Sequence, residues 1–444
     1  MNLRLDEIRR IIIFTFIIFS VVYFISLYGL TGLYYPVLIP LILFFFSIQK
    51  EFIVVLYLIV LPSSGIIPSE QNFLEAFGFD EIINIITVLY FINYKFIKYK
   101  FFSLQKQLTL LIIYLIVFVF LLNLKNAYFQ IYDGEYFLSL KRTLFSILKY
   151  LPIFFIIKYY GDKKLRQYII LGLLMSGVIF VTSQIFNEHL SNINLITIDD
   201  SEFGYFPSDV ISRFAGFYNG DANSLGAYLI MLIGLIFILS ENIQKRTTLY
   251  ILISFFILGV FITASRTAII SLFIIFLLFW FNNKSNKVPF QLALILLIPA
   301  YFGYDFILNQ LSRFETAGLQ FSTSIEDNRV VKWISYLQFM IESPEYVITG
   351  AQQEINIRSA HNVFIQMFYN IGIFPVIIFT FTLLKSFHFM IKMYKNTILY
   401  ILPFLFIIIT VGELNELSLF IIISSVVFGE YIISKNKSKK IKNS

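Results

Sequence analysis

The run ILISFFILGVFITASRTAIISLFIIFLLFWF, residues 251–281, decides the fold. Its only charged residue is Arg266, in Ser265-Arg266-Thr267. Apolar stretches at 247–264 and 267–282 flank that tripeptide, each near the length a helix needs to cross hydrocarbon. Backbone polar groups in lipid must be paired within the segment, so these stretches are helices and not open strands. An ionisable residue at membrane depth is costly and by default marks a functional site.

The same pattern extends along the whole chain. Of 444 residues, 58% are hydrophobic and 14% charged, against about 25% charged in a soluble domain. Mean hydropathy is +0.80. Further apolar runs lie at 11–30, 33–48, 51–62, 82–98, 107–124, 143–160, 166–186, 223–240, 289–306, 361–388, 397–411 and 415–433. These predict an all-α, polytopic transmembrane helical bundle of about 12–14 spans. We read 1–444 as a single integral membrane domain. The stretch Ile11 to Leu30 is too long for a signal-peptide core and reads as a retained first span. There is no cysteine, which excludes thiolate chemistry and disulfides. The net charge of +7 comes from short loops between apolar runs and orients the chain; it is no nucleic-acid signal.

Alternating sides from a cytoplasmic N-terminus puts roughly 24 of the 34 basic residues inside, as the positive-inside rule requires. Both termini are then cytoplasmic, together with 95–106 and 158–166. The longer loops at 63–81, 187–222 and 307–360 fall outside. In the last of these, Asn328 to Ile341 carries Val330, Val331, Ile334, Leu337, Phe339 and Met340 at mostly helical spacing. That spacing predicts an amphipathic helix on the membrane, ended by Glu342-Ser343-Pro344.

On this topology Arg213, Arg266 and His361 all reach the outer face from distant parts of the chain. A planar guanidinium donor fork suits a phosphate, and Arg213 and Arg266 are the candidates to bind one. For Arg266, snorkelling to the interface is the bland alternative. His361 starts the helix after the large loop, where the dipole favours neutral imidazole, which can take a proton from a hydroxyl. A structural histidine is its alternative. Small polar residues around Asn219-Gly220-Asp221-Ala222-Asn223 suit turns and caps. Arg329 and Trp333 share a helix face, either as interfacial anchors or as substrate contacts; Arg358 lies three residues before His361. No metal-binding or Gly-rich phosphate motif occurs in a suitable outer loop.

Taken in order, these pieces resemble the bacterial O-antigen ligase and O-antigen polymerase family. They are Arg213-Phe214-Ala215-Gly216-Phe217 with Asn223, Ser265-Arg266-Thr267-Ala268, Asn328-Arg329 with Trp333, Ser343-Pro344, Gly350, and Ala360-His361-Asn362 running into Gly372. The motif-bearing region is 205–385, and the N-terminal half matches only in hydropathy. The family's turn after the first arginine usually reads Asn-Pro-Asn, where this chain has Asp221-Ala222-Asn223.

The resemblance implies a GT-C-like, metal-independent, inverting glycosyltransferase of the bacterial inner membrane, needing no cofactor and acting at the periplasmic face. Its donor would be a glycan on undecaprenyl diphosphate. Its acceptor would be a lipid-linked repeat unit or a lipid A core sugar, and other polysaccharide-assembly proteins would be partners. Arg213 and Arg266 would hold the diphosphate, and His361 would be the general base. Arg329, Trp333, Asn223, Asn362 and Arg358 would contact substrate. The Ile- and Phe-rich, AT-biased composition leans to a polymerase, with a ligase as the alternative. A lipid-oligosaccharide flippase is the rival class, but transporters usually carry repeats and charges near the midplane, whereas this chain concentrates its candidate residues at one face.

Overall fold

A computed structural model describes residues 5–62, 79–94, 103–130, 136–159, 161–193, 217, 222–240, 246–263, 265–282, 329–351, 362–393, 397–410, 417–429 and 431. Among these the chain is all-helical, without a strand. The helices are α1 (Leu5–Leu27), α2 (Tyr34–Ile48), α3 (Phe52–Val60), α4 (Phe79–Ile92), α5 (Ser103–Gln130) and α6 (Tyr136–Tyr159). They continue with α7 (Lys163–Ile185), α8 (Asn187–Asn192), α9 (Ala222–Ser240), α10 (Arg246–Ile262) and α11 (Arg266–Asn282). After the large loop come α12 (Arg329–Glu342), α13 (Pro344–Thr349), α14 (Val363–Ile371), α15 (Ile373–Met393), α16 (Ile398–Thr410) and α17 (Leu417–Gly429).

Helices α1, α5, α7, α9 and α15 are long and apolar enough to cross a membrane. Shorter apolar helices are α2, α10, α11, α16 and α17. Several helices can thus cross a membrane, as a multi-pass membrane protein requires. The expected run at 289–306 lies outside the described residues. Two others differ from expectation. The 51–62 run becomes α3, nine residues all buried; at about 1.5 Å per residue it covers less than half of the hydrocarbon thickness. The 361–388 run is two helices, broken at Gly372.

The helices form two compact units. The first contains α1–α4 and α7–α10, with α9 almost wholly buried at its centre. Without an oil–water driving force between helices in lipid, close approach at small residues holds such bundles together. Three glycines do so here. A Cβ on Gly259 would lie 2.5 Å from Val181 and 2.8 Å from Leu229, and one on Gly177 2.6 Å from Leu232. Gly172 lets α7 approach Leu58 and Val55 of α3 in the same way.

Polar contacts gather at the two ends of this unit. At one end Lys164 pairs with Glu51 at 3.1 Å and Glu7 at 3.5 Å. There Tyr168 donates to Glu7, Gln49 donates to Tyr168, and Tyr94 donates to Asp162. Asp162 also caps α7 by accepting from the Leu165 amide at 3.0 Å. At the other end Tyr23 of α1 bonds His189 of α8 at 2.9 Å. Helices α1 and α7 therefore run in the same direction, with residues 7, 49–51, 94 and 162–164 at one end and 23, 183 and 189 at the other.

The second unit contains α5, α6 and α11–α17. Helix α15 packs along α5, where Tyr114 and Phe379 stack with ring centres 5.3 Å apart. Helix α11 packs along α16. Phe404 and Phe420 stack at 4.1 Å, tying α16 to α17, and Phe387 of α15 meets Phe420 edge-on.

Candidate functional site

Helices α12, α13 and α14 build a small platform in the second unit. Trp333, Tyr336 and Met340 recur on one stripe of α12 and pack with Ala351 and Tyr369. The Tyr336 and Tyr369 rings meet edge-on at 4.8 Å, and Phe339 stacks on Tyr346 at 5.8 Å. Burial, with Tyr369 alongside, pushes the Tyr336 phenol above its ordinary range and keeps it neutral. Trp333 is half-buried against this cluster. The adjacent stripe of α12, Ile334, Leu337 and Ile341, is exposed. Its apolar residues thus cover two faces, and one of them faces protein.

Two glycines close the platform. Gly350 (φ +79°) ends α13 and Gly372 (φ +85°) ends α14, each in backbone conformations that side chains resist. They also sit backbone to backbone across the pair of helices. A Cβ on Gly350 would strike the Asn370 carbonyl, and one on Gly372 the Ile348 carbonyl. The Ala351 amide donates to the Tyr369 carbonyl at 2.6 Å beside them. This joint breaks the apolar run at 372. We expect Gly372→Ala to destabilise the protein, since the strain of about 1–3 kcal/mol that a side chain meets in this glycine-only conformation (φ +85°, ψ −178°) adds to a backbone collision. A lowered thermal midpoint in detergent checks this; an unchanged midpoint contradicts it.

Asn362 supplies the platform's upper edge. Its backbone is extended, and its Oδ1 accepts from the Phe364 amide at 3.0 Å and the Ile365 amide at 3.1 Å. The side chain is therefore an N-cap, and α14 begins at Val363 and not at His361. His361 stands one position before the cap in sequence. Loss of the cap in Asn362→Ala should cost about 1 kcal/mol, whereas Asn362→Asp should keep it. Thermal melts of the two variants separate them; equal midpoints would show that the cap contributes nothing.

Arg266 is the first residue of α11, and Arg329 the first residue of α12. Neither helix has an acidic residue in its first turn. A helix N-terminus carries partial positive charge, so an arginine there works against helix stability and with anion binding. The turn before Arg266 is built from buried hydroxyls: Thr263 Oγ1 donates to the Val260 carbonyl at 2.7 Å and accepts from the Ser265 amide at 3.3 Å.

The chain matches no protein-family model, and no curated protein is similar to it in sequence.

Arg213, Arg358 and His361 lie outside the described residues. Asn223 is the second residue of α9 and half-buried. Within the second unit, α16 contacts both α11, which Arg266 opens, and α14, which Asn362 caps. Sequence reasoning missed Ser183. Its Oγ accepts from the Phe217 amide at 3.0 Å, tying α7 to that residue. The available signal was a Ser-Gln pair closing an otherwise apolar run just before an outer loop.

Proposed function

We propose that the protein is a membrane glycosyltransferase of the GT-C type, with about 12–14 spans, that transfers a glycan from undecaprenyl diphosphate to an acceptor sugar. In this reading both termini are cytoplasmic and the reaction runs at the periplasmic face of the inner membrane. The acceptor is a second lipid-linked repeat unit, making the protein an O-antigen polymerase. The observation that carries the reading is that Arg266 and Arg329 each open a helix with no acidic residue in its first turn. Arg246 opens α10 in the same way on the cytoplasmic side, where the positive-inside bias accounts for it; on the outer face that bias gives no reason for an arginine, whereas a diphosphate would draw on both the guanidinium and the free backbone amides.

The acceptor hydroxyl attacks the anomeric carbon of the donor sugar. The carbon–oxygen bond to the diphosphate breaks as the new glycosidic bond forms, with inversion. His361 takes the hydroxyl proton, and the electron pair leaves on undecaprenyl diphosphate. Arg213 and Arg266 stabilise the charge that develops there. Arg329 orients the diphosphate or the glycan. Acidification should slow transfer, because a protonated imidazole cannot accept the proton.

A deletion strain tests the reading through its surface polysaccharide. Single repeat units on lipid A core are the expected result for a polymerase. Bare core with accumulated lipid-linked polymer would assign the ligase step instead. A full-length, wild-type glycan profile would overturn both.

A further inference from the structure

We infer that α12 and α13 dock on lipid, lying in the polar–apolar boundary of the bilayer at the Ile373 end of α15. Ile334, Leu337, Ile341 and Ile348 are then buried among acyl chains. The inference holds whatever reaction the protein catalyses. At about 100° per residue, the side chains of α12 fall into three sectors. Tyr336, Phe339 and Met340 turn to the cluster that Ala351 and Tyr369 complete. Ile334, Leu337 and Ile341 share a sector about 60° wide, and are 55%, 40% and 76% exposed. Gln338 and Glu342 share the third and are exposed; the glutamine Nε2 donates to the carboxylate at 2.9 Å. One face for protein, one for apolar and one for polar surroundings is what a helix lying in a membrane surface needs. Helix α13 repeats the arrangement. Its Tyr346 meets the cluster, Ile348 is 61% exposed, and Glu345 and Thr349 are polar and exposed.

What covers the apolar sector follows from its neighbour. Helix α13 packs on α15, and the Ile348 carbonyl closes on Gly372, immediately before α15 starts. Beyond that joint Phe374, Ile377, Ile378 and Phe381 form one exposed stripe of α15, a helix long and apolar enough to cross a membrane. In a span such a stripe meets hydrocarbon. Ile348 and Phe374 flank the joint and are both exposed, so the apolar edge of the platform continues the lipid face of the span. An exposed apolar surface rimmed by polar groups marks an interaction site. A protein partner would have to cover the α12 sector and leave the adjoining α15 stripe to lipid; the bilayer covers both without a seam. Under the transferase reading, this seating puts Arg329, the first residue of α12, at the level where a lipid-linked diphosphate enters.

The cysteine-free chain makes the test direct. Ile341→Cys, Ile348→Cys and Gln338→Cys are made singly in the full chain, labelled with an environment-sensitive fluorophore and placed in phosphatidylcholine nanodiscs. Labels at 341 and 348 should emit to the blue of the label at 338. They should also lose emission when the lipid carries bromine near the glycerol end of its chains. Bromine near the chain methyls should quench them much less, since an interfacial helix buries its apolar face only about 5–10 Å into the boundary. The label at 338 should be quenched by aqueous iodide instead. Two reporters on the apolar edge keep the test valid where one variant fails to fold. Water-like emission at both apolar positions overturns the docking. Blue emission without quenching by either lipid overturns it in favour of a protein seated on the edge. Quenching strongest with bromine at the chain methyls overturns it too, since α12 would then lie deep in the hydrocarbon.

Discussion

His361→Ala is expected to lower glycan transfer by on the order of 10²–10⁴-fold, the usual cost of removing a general base. Binding of the lipid-linked donor should survive, because the diphosphate contacts belong to Arg213 and Arg266. The capping by Asn362 makes this variant interpretable. Asn362 Oδ1 already satisfies the first free amides of α14, so the helix does not need residue 361 to start. A histidine kept for packing or capping would tolerate His361→Gln with little effect. A base would not, since a carboxamide cannot take up the proton. A His361→Gln protein that transfers glycan at the wild-type rate rules out the base.

Arg266→Ala should be as severe, with a loss on the order of 10²–10³-fold, as for other donors aimed at developing negative charge. Arg266→Lys should rescue poorly, because a point charge replaces a two-pronged donor. The fold gives little reason for wider damage. The turn before Arg266 is held by Thr263 and Ser265, and Ala268, Leu272 and Ile275 of α11 remain buried. Normal transfer by Arg266→Ala, at normal expression, would make the residue an interfacial anchor and remove it from the site.

The run around Arg266 shows how far hydropathy reaches. Helices α10 and α11 fall within a few residues of the expected 247–264 and 267–282, because unbroken apolar runs bounded by polar turns leave no other reading. The amphipathic helix at 329–342 was legible for a related reason: its spacing is helical and Ser343-Pro344 stops it. The break at Gly372 was not legible. A glycine inside an apolar run is neutral to hydropathy, and what requires a glycine at 372 is the approach of the Ile348 carbonyl from α13, a contact made only in the folded state. Helix α3 misled in another way, since a fully buried core helix and a short span have the same composition.

At the site, residue type suggested chemistry for Trp333 and Asn362, and the structure gives each a local task. Trp333 packs on the Tyr336, Met340 and Tyr369 cluster, and Asn362 caps α14. Sequence could not assign the task of Trp333 because its cluster is completed by Ala351 and by Tyr369 of α14, far along the chain. It offered Ser183 only as a polar residue closing an apolar run, because its partner, Phe217, lies 34 residues away.

The most direct measurement is a reconstitution. Purified protein in lipid vesicles is given a synthetic undecaprenyl-diphosphate-linked repeat unit, without nucleotide sugar, and both products are followed. Our account predicts glycans of two or more units, with one free undecaprenyl diphosphate released for each new linkage. Transfer to added lipid A core alone would assign the ligase role. Donor that is neither lengthened, transferred nor cleaved, but is moved across the vesicle membrane, would contradict the account and point to a transporter.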